Sequence, residues 1–340
     1  MTTPHVAVVI PCYRAKGLVA AVVADVLMIA REMEACCQLL LLVVNDSCPQ
    51  QSWREIPPHP QVQVLHHRKN RGVGAATLTG LQAALEQGCQ AMVKLDADGQ
   101  HPPIYLLDLV PHLLEQQTGE LVLVKGSRYR WPYRAGAIPW ARKIGSILLE
   151  PMARAAIACR NLTDVSNGYL GLNQLSCSYL LAVSLGPPLQ NRYLFESSVL
   201  VRCAWLGLEL QEFAMLPRYG EHWSSSMESS AMVLPLLRFW SRAALERLRR
   251  SYLTSITLGS GLLLVATMST LLASYLWFTR VGPEISDRTI VSAGTSSAFT
   301  TASALALLAL LLFFLYDYRS GRDVKVLRFP ALLKDLKRKS

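Results

Sequence analysis

Two hydrophobic patterns divide the chain. Residues 6–10 (VAVVI), 39–44 (LLLLVV), 62–66 (VQVLH), 91–95 (AMVKL) and 121–125 (LVLVK) are short apolar runs rich in β-branched side chains, and each reads as a strand. Residues 17–33, 73–85 and 107–116 between them carry helical spacing. Strands apolar on both faces, alternating with helices, predict an α/β fold with a mostly parallel sheet covered on both sides. Ligands of such sheets sit at the carboxyl ends of the strands. Those ends carry Pro11-Cys12-Tyr13, Asn45-Asp46, Asp96-Ala97-Asp98 and Gly126-Ser127-Arg128.

The second pattern starts past residue 250. Residues 251–279 and 289–316 contain no charged side chain, and their 29 and 28 residues exceed the roughly 20 that cross a bilayer. The second run is weakly apolar at first, which places its core near 296–316. Tyr275, Trp277 and Phe278 close the first run, and Tyr316 and Tyr318 the second, as interfacial aromatics do. Residues 232–245 (MVLPLLRFWSRAAL) mix apolar and basic positions and read as a helix lying on a membrane surface. The expected organisation is a domain over 1–229, an interfacial helix over 230–250, spans over 251–279 and 289–316 joined by an external loop over 280–288, and a basic tail over 317–340.

Composition supports that division. Of 340 residues, 51% are hydrophobic and only 17% charged, which excludes a disordered chain. The net charge is +10, yet residues 1–237 are nearly balanced, while 238–250 carry net +4 and 317–340 net +5. Basic flanks around an apolar region point to membrane lipids rather than nucleic acid, whose binding face would lie on the folded domain. By the positive-inside rule the first domain and both termini are cytoplasmic. The eight cysteines form no CxxC pair, in keeping with a reducing compartment, and the start MTTPHVAVVIPCYR lacks the basic region of a signal peptide. A two-helix hairpin also leaves lateral surface for self-association into a homo-oligomer.

Asp96-x-Asp98 follows a buried strand. Two carboxylates one residue apart on a turn can face one hard cation, Mg²⁺ or Mn²⁺, and leave room for phosphates. Alone the pattern says little, since about two acidic-x-acidic pairs arise by chance among 24 acidic residues in 340. Its place after a strand and its extension to DADGQHPP raise its weight. Downstream, Arg128, Arg130, Arg134, Arg142 and Lys143 precede an apolar helical stretch over 144–157. Guanidinium forks suit phosphate oxygens. A solvated basic loop facing anionic lipid is the plainer alternative.

VVIPCYR, VVNDSC, NRGVGAATLTG, KLDADGQHPP, GSRY, ARKIGS and RYGEHWSS together resemble the family 2 glycosyltransferases, in particular the dolichyl-phosphate mannose synthase-like and bactoprenol glucosyltransferase-like branch. KLDADGQHPP is the most specific of them. The resemblance implies a GT-A-like nucleotide-diphospho-sugar transferase domain followed by a membrane hairpin. It implies metal-dependent, inverting transfer of one sugar from a nucleotide-sugar donor to a polyprenyl phosphate acceptor. Carried over by position, Pro11, Tyr13 and Asp46 would line the nucleobase pocket, and Asp96 would meet the ribose and diphosphate. Asp96, Asp98 and Gln100 would hold the metal. Arg128, Arg142, Ser146 and Arg218 would hold phosphate, and Asp164 would lie near the acceptor. Asp98, Asp164 and Arg128 are the residues expected to carry catalysis. Arg14 replaces the family's Asn, Ala15 and Lys16 stand where a Glu is expected, and SCPQQ lacks a later Asp, so the resemblance names no nucleotide.

A lipid phosphate is mostly a dianion at neutral pH, so it needs positioning and charge control more than a base. Glu196 is either a base or a buried partner of Arg202. The helix start Asn70-Arg71-Gly72-Val73-Gly74 is able to face phosphate, yet lacks any nucleotide fingerprint. Trp205 and Trp223 read as packing residues. Two alternatives stay open: a processive polysaccharide synthase, which would need a Gln-x-x-Arg-Trp segment and further spans, and a non-catalytic membrane adaptor retaining the fold.

Overall fold

The computed structural model describes residues 3–116, 119–130, 140–183, 185, 187–218, 229–286 and 290–330, without the side chains of 140–148 and 229–232. The chain divides into two compact units, residues 1–243 with 323–340, and residues 244–322.

Among the described residues, the first unit is built on one sheet. Its strands are β1 (His5–Cys12), β2 (Gln38–Asn45), β3 (Val62–His66), β4 (Ala91–Lys94), β5 (Val122–Ser127), β6 (Leu170–Asn173), β7 (Glu209–Ala214) and β8 (Lys325–Leu327), in the order β3-β2-β1-β4-β6-β5-β7-β8. β6 runs antiparallel to β4 and β5, and the other pairs are parallel. The continuous apolar runs are buried on both faces, as expected: Val6 through Ile10 are all 0% exposed.

Among the described residues the helices packed with the sheet include α1 (Val19–Glu32), α2 (Val73–Glu86), α3 (Leu106–Glu115), α4 (Trp140–Ile157), α5 (Gln174–Ala182) and α6 (Phe195–Trp205). Val19, Val22, Val23 and Val26 of α1 and Leu106, Leu109, Val110 and Leu113 of α3 pack with Val6, Val8 and Ile10 in one core. α2 covers the other face, with Gly80 against Val9. The alternation of Cβ directions along β1 feeds both layers. This arrangement matches the GT-A-like α/β reading.

Three strands escape the apolar pattern. β6 and β7 are short or polar (LGLN, ELQEFA) and owe their place to neighbours rather than to composition. β8 falls within the stretch expected to be only a basic tail, and it pairs with β7. Asn161 reinforces that return, with Oδ1 accepting from Val324 N at 2.6 Å and Nδ2 donating to Val324 O at 3.2 Å.

The second unit comprises the end of α7 (Ser229–Leu248), α8 (Leu258–Leu276), α9 (Gly282–Ser286) and α10 (Ala293–Ser320). Two stretches, Leu258–Ser286 and Ala293–Ser320, are long and apolar enough to cross a membrane. Their starts differ from the charge-free runs, because polar caps set them. Thr257 and Ser260 form a capping box before α8, and Ser292 Oγ accepts from Thr295 N before α10. The helical path also continues through residues 280–286, expected as loop. The buried residues of α8 and α10 are mostly small, Ala266, Ser269 and Ala273 with Ala302, Ala306 and Ala309, with Phe313 the large exception, whereas Leu264, Leu271, Leu307 and Phe314 point outward. That is the arrangement by which apolar helices approach closely in lipid.

Candidate active site

β4 ends on a lysine and opens into the turn that carries the paired aspartates. Lys94 is 2% exposed. A buried ammonium must find acceptors for its three protons. Lys94 Nζ donates to Asp96 Oδ1 at 2.7 Å, to Glu196 Oε1 at 2.9 Å and to Gly168 O at 3.3 Å. Glu196 therefore pairs with Lys94 and not with Arg202, whose Nη2 donates instead to Pro187 O. Burial would lift the Asp96 carboxyl, but the Lys94 ammonium outweighs it, with Arg128 contributing, and holds the group at about 2.

His101 fixes the turn from behind. Its Nδ1 accepts from Asp96 N at 3.2 Å, which leaves the ring proton on Nε2. Burial drives the imidazole down to about 4, so it is neutral at pH 7. On the open side, Asp98 Oδ1 accepts from Gln100 N at 3.0 Å and Oδ2 from Gln100 Nε2 at 2.6 Å. Among the described residues no three His, Cys, Asp or Glu side chains cluster as a ready metal cage. The donor set suits Mg²⁺ or Mn²⁺ nonetheless: Asp96 and Asp98 carboxylates with the Gln100 amide oxygen, after a flip of that amide, give hard oxygen ligands on an accessible turn. Donor phosphates would complete such a shell.

β5 delivers the second half of the site. Asp164 is fully buried and has φ +45, a left-handed conformation that Asp tolerates better than most residues. Arg128 donates to it from backbone N at 2.8 Å, from Nε at 2.8 Å and from Nη2 at 2.6 Å, and Nη2 also reaches Ser166 Oγ at 3.1 Å. Burial opposes ionisation of Asp164, yet the Arg128 guanidinium holds its carboxyl far below the ordinary range. Asp164 is thus an ionised partner of Arg128 and a poor proton acceptor. Beneath lies a second buried network. Glu212, also fully buried, accepts from Arg130 Nε at 2.8 Å, Thr163 Oγ1 at 2.9 Å and Lys125 Nζ at 3.3 Å. Arg130 belongs to this scaffold.

The predicted nucleobase pocket lies where β1 and β2 end side by side, with Asp46 N donating to Cys12 O at 3.1 Å. Tyr13 is exposed there, and the Arg14 guanidinium sits 5.4 Å from its ring centroid. Pro11 is buried within β1. Asp46 differs from expectation. It is 2% exposed, Oδ1 meets His67 Nδ1 at 2.7 Å and Arg71 N at 2.8 Å, and Oδ2 accepts from Gly72 N at 2.7 Å. The carboxylate organises the loop beside the pocket.

The helix start beyond that loop is likewise taken. Gly74 N and Ala75 N both donate to Asn191 O, at 2.9 and 3.2 Å, so the amides at the start of α2 are capped by backbone and not left for phosphate. Arg218 also departs from expectation. Its N donates to Gln100 O at 3.1 Å beside the aspartate turn, but its Nη1 donates to Asp25 Oδ2 at 2.9 Å. The backbone of Arg142 and Ser146 belongs to α4. Arg134 and Trp223 lie outside the described residues, as do the side chains of Arg142, Lys143 and Ser146.

Sequence reasoning missed Lys94. The available signal was a lysine inside an otherwise apolar strand directly before an acidic turn, since a buried charge requires a partner.

The chain has recognisable relatives among known proteins. A family model described as glycosyl transferase family 2 matches residues 7–172. The undecaprenyl-phosphate mannosyltransferase of Micrococcus luteus is 32% identical over 182 residues, covering 51% of this chain and 69% of the relative. The polyprenol monophosphomannose synthase of Mycolicibacterium smegmatis is 30% identical over 148 residues, 42% of this chain and 54% of the relative. Among solved structures, glucosyl-3-phosphoglycerate synthase from Mycobacterium tuberculosis with Mn²⁺, UDP-glucose and phosphoglyceric acid aligns at a TM-score of 0.47 and 16% identity, over 71% of this chain and 80% of that one. The matched segment runs from β1 to β6 and contains the Lys94–Asp98 turn and Arg128, and on that sequence relationship the chain is a glycosyltransferase belonging to family 2.

Proposed function

We propose that this protein transfers one sugar from a nucleotide-sugar to a polyprenyl phosphate at the cytoplasmic face of a membrane, with inversion at the anomeric carbon. The observation that carries the reading is the charge arrangement at the carboxyl ends of β4 and β5. Asp96, Asp98, Glu196 and Asp164 stand against Lys94 and Arg128, leaving two negative charges on the groups described. Such a site favours a divalent cation and then a diphosphate.

The chain's own residues divide the work. Asp96 and Asp98, with Gln100, would hold Mg²⁺ or Mn²⁺. That cation, when bound, offsets the charge that develops on the departing nucleoside diphosphate. Tyr13 and Arg14 present a ring and a guanidinium to the nucleobase, while Asp46 keeps their supporting loop in place. Arg128, held by Asp164, presents the fixed edge of a guanidinium toward the acceptor phosphate, with Arg142 and Ser146 of α4 as further ligands. The acceptor oxygen is already ionised, so no side chain need remove a proton. Attack opposite the leaving group inverts the anomeric centre.

Names of the two relatives support a polyprenyl phosphate acceptor. Two apolar helices with basic flanks support a membrane-bound enzyme whose first unit and termini face the cytoplasm. The test is a purified-protein assay with labelled nucleotide-sugars, undecaprenyl or dolichyl phosphate, and Mg²⁺ or Mn²⁺. A lipid-linked monosaccharide of inverted configuration is expected. No lipid product with any donor would overturn the reading.

A further inference from the structure

The geometry points to Lys94 as a positioning residue for donor binding, a buried ammonium that ties Asp96 to Glu196 at the start of α6. This rests on the nucleotide-sugar reading above, and no expectation from the sequence assigned Lys94 a role.

Three observations carry it. The first is chemical completeness. The ammonium has three protons and meets three acceptors, Asp96 Oδ1, Glu196 Oε1 and Gly168 O, at 2.7, 2.9 and 3.3 Å. The second is topology. Gly168 and Glu196 lie 74 and 102 residues away in the chain, so the contacts join the end of β4 to the approach to β6 and to the first turn of α6. The third is space. A Cβ on Gly168 would sit 2.5 Å from Lys94 Nζ and 2.7 Å from Asp96 Oδ2, so glycine there leaves room for the clamp itself.

The consequence follows from what each carboxylate faces. Asp96 is fully buried at one oxygen's partner and yet 31% exposed as a side chain, so it spans interior and crevice. A carboxylate on a turn has two free rotations. Lys94 restrains them from the protein side at Oδ1, while Oδ2 lies 3.6 Å from His101 Nδ1. Glu196 is 14% exposed and shares the same cation, so a movement of α6 is felt at Asp96. Groups that orient a ligand from behind commonly account for about 10–100-fold in affinity.

The experiment uses the full chain in detergent, with nucleoside diphosphate (UDP and GDP separately) and Mn²⁺ titrated by calorimetry, and thermal unfolding alongside. Lys94→Met is expected to weaken diphosphate–Mn²⁺ binding about tenfold or more and to lower the melting temperature, since two carboxylates lose their cation. The double variant Lys94→Met with Glu196→Met removes the ammonium together with the more buried of its two carboxylates, and leaves Asp96, 31% exposed, within reach of water. It is expected to recover melting temperature but not affinity. Gly168→Ala, whose Cβ would meet Lys94 Nζ and Asp96 Oδ2, is expected to displace the clamp and to weaken binding along with a lower melting temperature. If the double variant, or Gly168→Ala, binds as the unmodified protein does, Lys94 is only a structural ion pair and the inference fails. If the unmodified protein binds neither diphosphate, the nucleotide-sugar reading fails and takes this one with it.

Discussion

Arg128 closes on Asp164 through its backbone N, Nε and Nη2, at 2.8, 2.8 and 2.6 Å, across 36 residues of sequence. Two residues that the sequence presents as separate actors are one rigid unit. The guanidinium is held in plane by a carboxylate that is itself 0% exposed, which preorganises a cation without an entropy loss on binding.

Replacing Asp164 by Asn keeps shape and tolerates φ +45, but leaves Arg128 without its counter-charge. Loss of about 3 kcal/mol of stability is expected, together with a higher KM for the lipid acceptor. Asp164→Ala should lose about 1 kcal/mol more, because Ala accommodates the left-handed backbone less well. Chemical denaturation of the full chain checks both, and equal stability of the two variants would remove the backbone part of the argument.

The same carboxyl sets a pH dependence. Its native pKa is depressed, since the pull of Arg128 exceeds the opposing effect of burial. The stabilisation is therefore complete above the unfolded value, about 3.9, and disappears as pH falls through the lower native value. The advantage of the unmodified protein over Asp164→Asn should be constant from pH 7 to 5 and shrink below about 4. Denaturation midpoints measured across that range report it.

Asp98 lies on the open side of the turn, so Asp98→Asn should leave folding intact and lower turnover at least about 100-fold. Asp96→Asn should also disable turnover, but with a drop in melting temperature, because Lys94 loses a charged partner. Chelation of divalent cations should reproduce the Asp98→Asn rate and not the Asp96→Asn melting change. Activity of Asp98→Asn at the unmodified level would remove the metal from the proposal.

Gly74 abuts backbone. An added Cβ would lie 2.2 Å from Gln190 O and 2.9 Å from the Asn191 carbonyl carbon, neither of which can rotate away. Gly74→Ala should destabilise by about 1–3 kcal/mol, the usual range for overpacking. A melting temperature within error of the unmodified protein would contradict the packing of residues 190–192 on α2.

In the second unit, Asp317 accepts from Arg247 Nη1 and Nη2 at 3.0 and 2.5 Å and from Tyr252 OH at 2.6 Å. Arg247 is only 7% exposed, so Asp317→Asn strands a charge and should lower stability by about 3 kcal/mol in detergent. Arg249 and Arg250, exposed and paired with Glu246, should tolerate neutral substitution with under about 1 kcal/mol of change.

The sequence alone determined the elements whose burial is written into local composition. VAVVI and LLLLVV read as strands buried on both faces, and residues 251–279 and 289–316 carry no charged side chain; the caps at Thr257 and Ser292 that set where the helices start emerge from the structure. It also marked the aspartate turn, because DADGQH follows a strand. Tertiary structure decided which charges meet. Lys94 with Glu196, Arg128 with Asp164, Asp46 with His67 and Arg218 with Asp25 all join residues from 21 to 193 positions apart. Short strands such as LGLN and KVL were equally out of reach, since their pairing depends on neighbours and not on their own side chains. Hydrophobic periodicity is a local property of the chain. The pairing of buried charges is settled by distance in the folded state, where a low dielectric makes each unpaired ion costly and leaves few arrangements that satisfy them all.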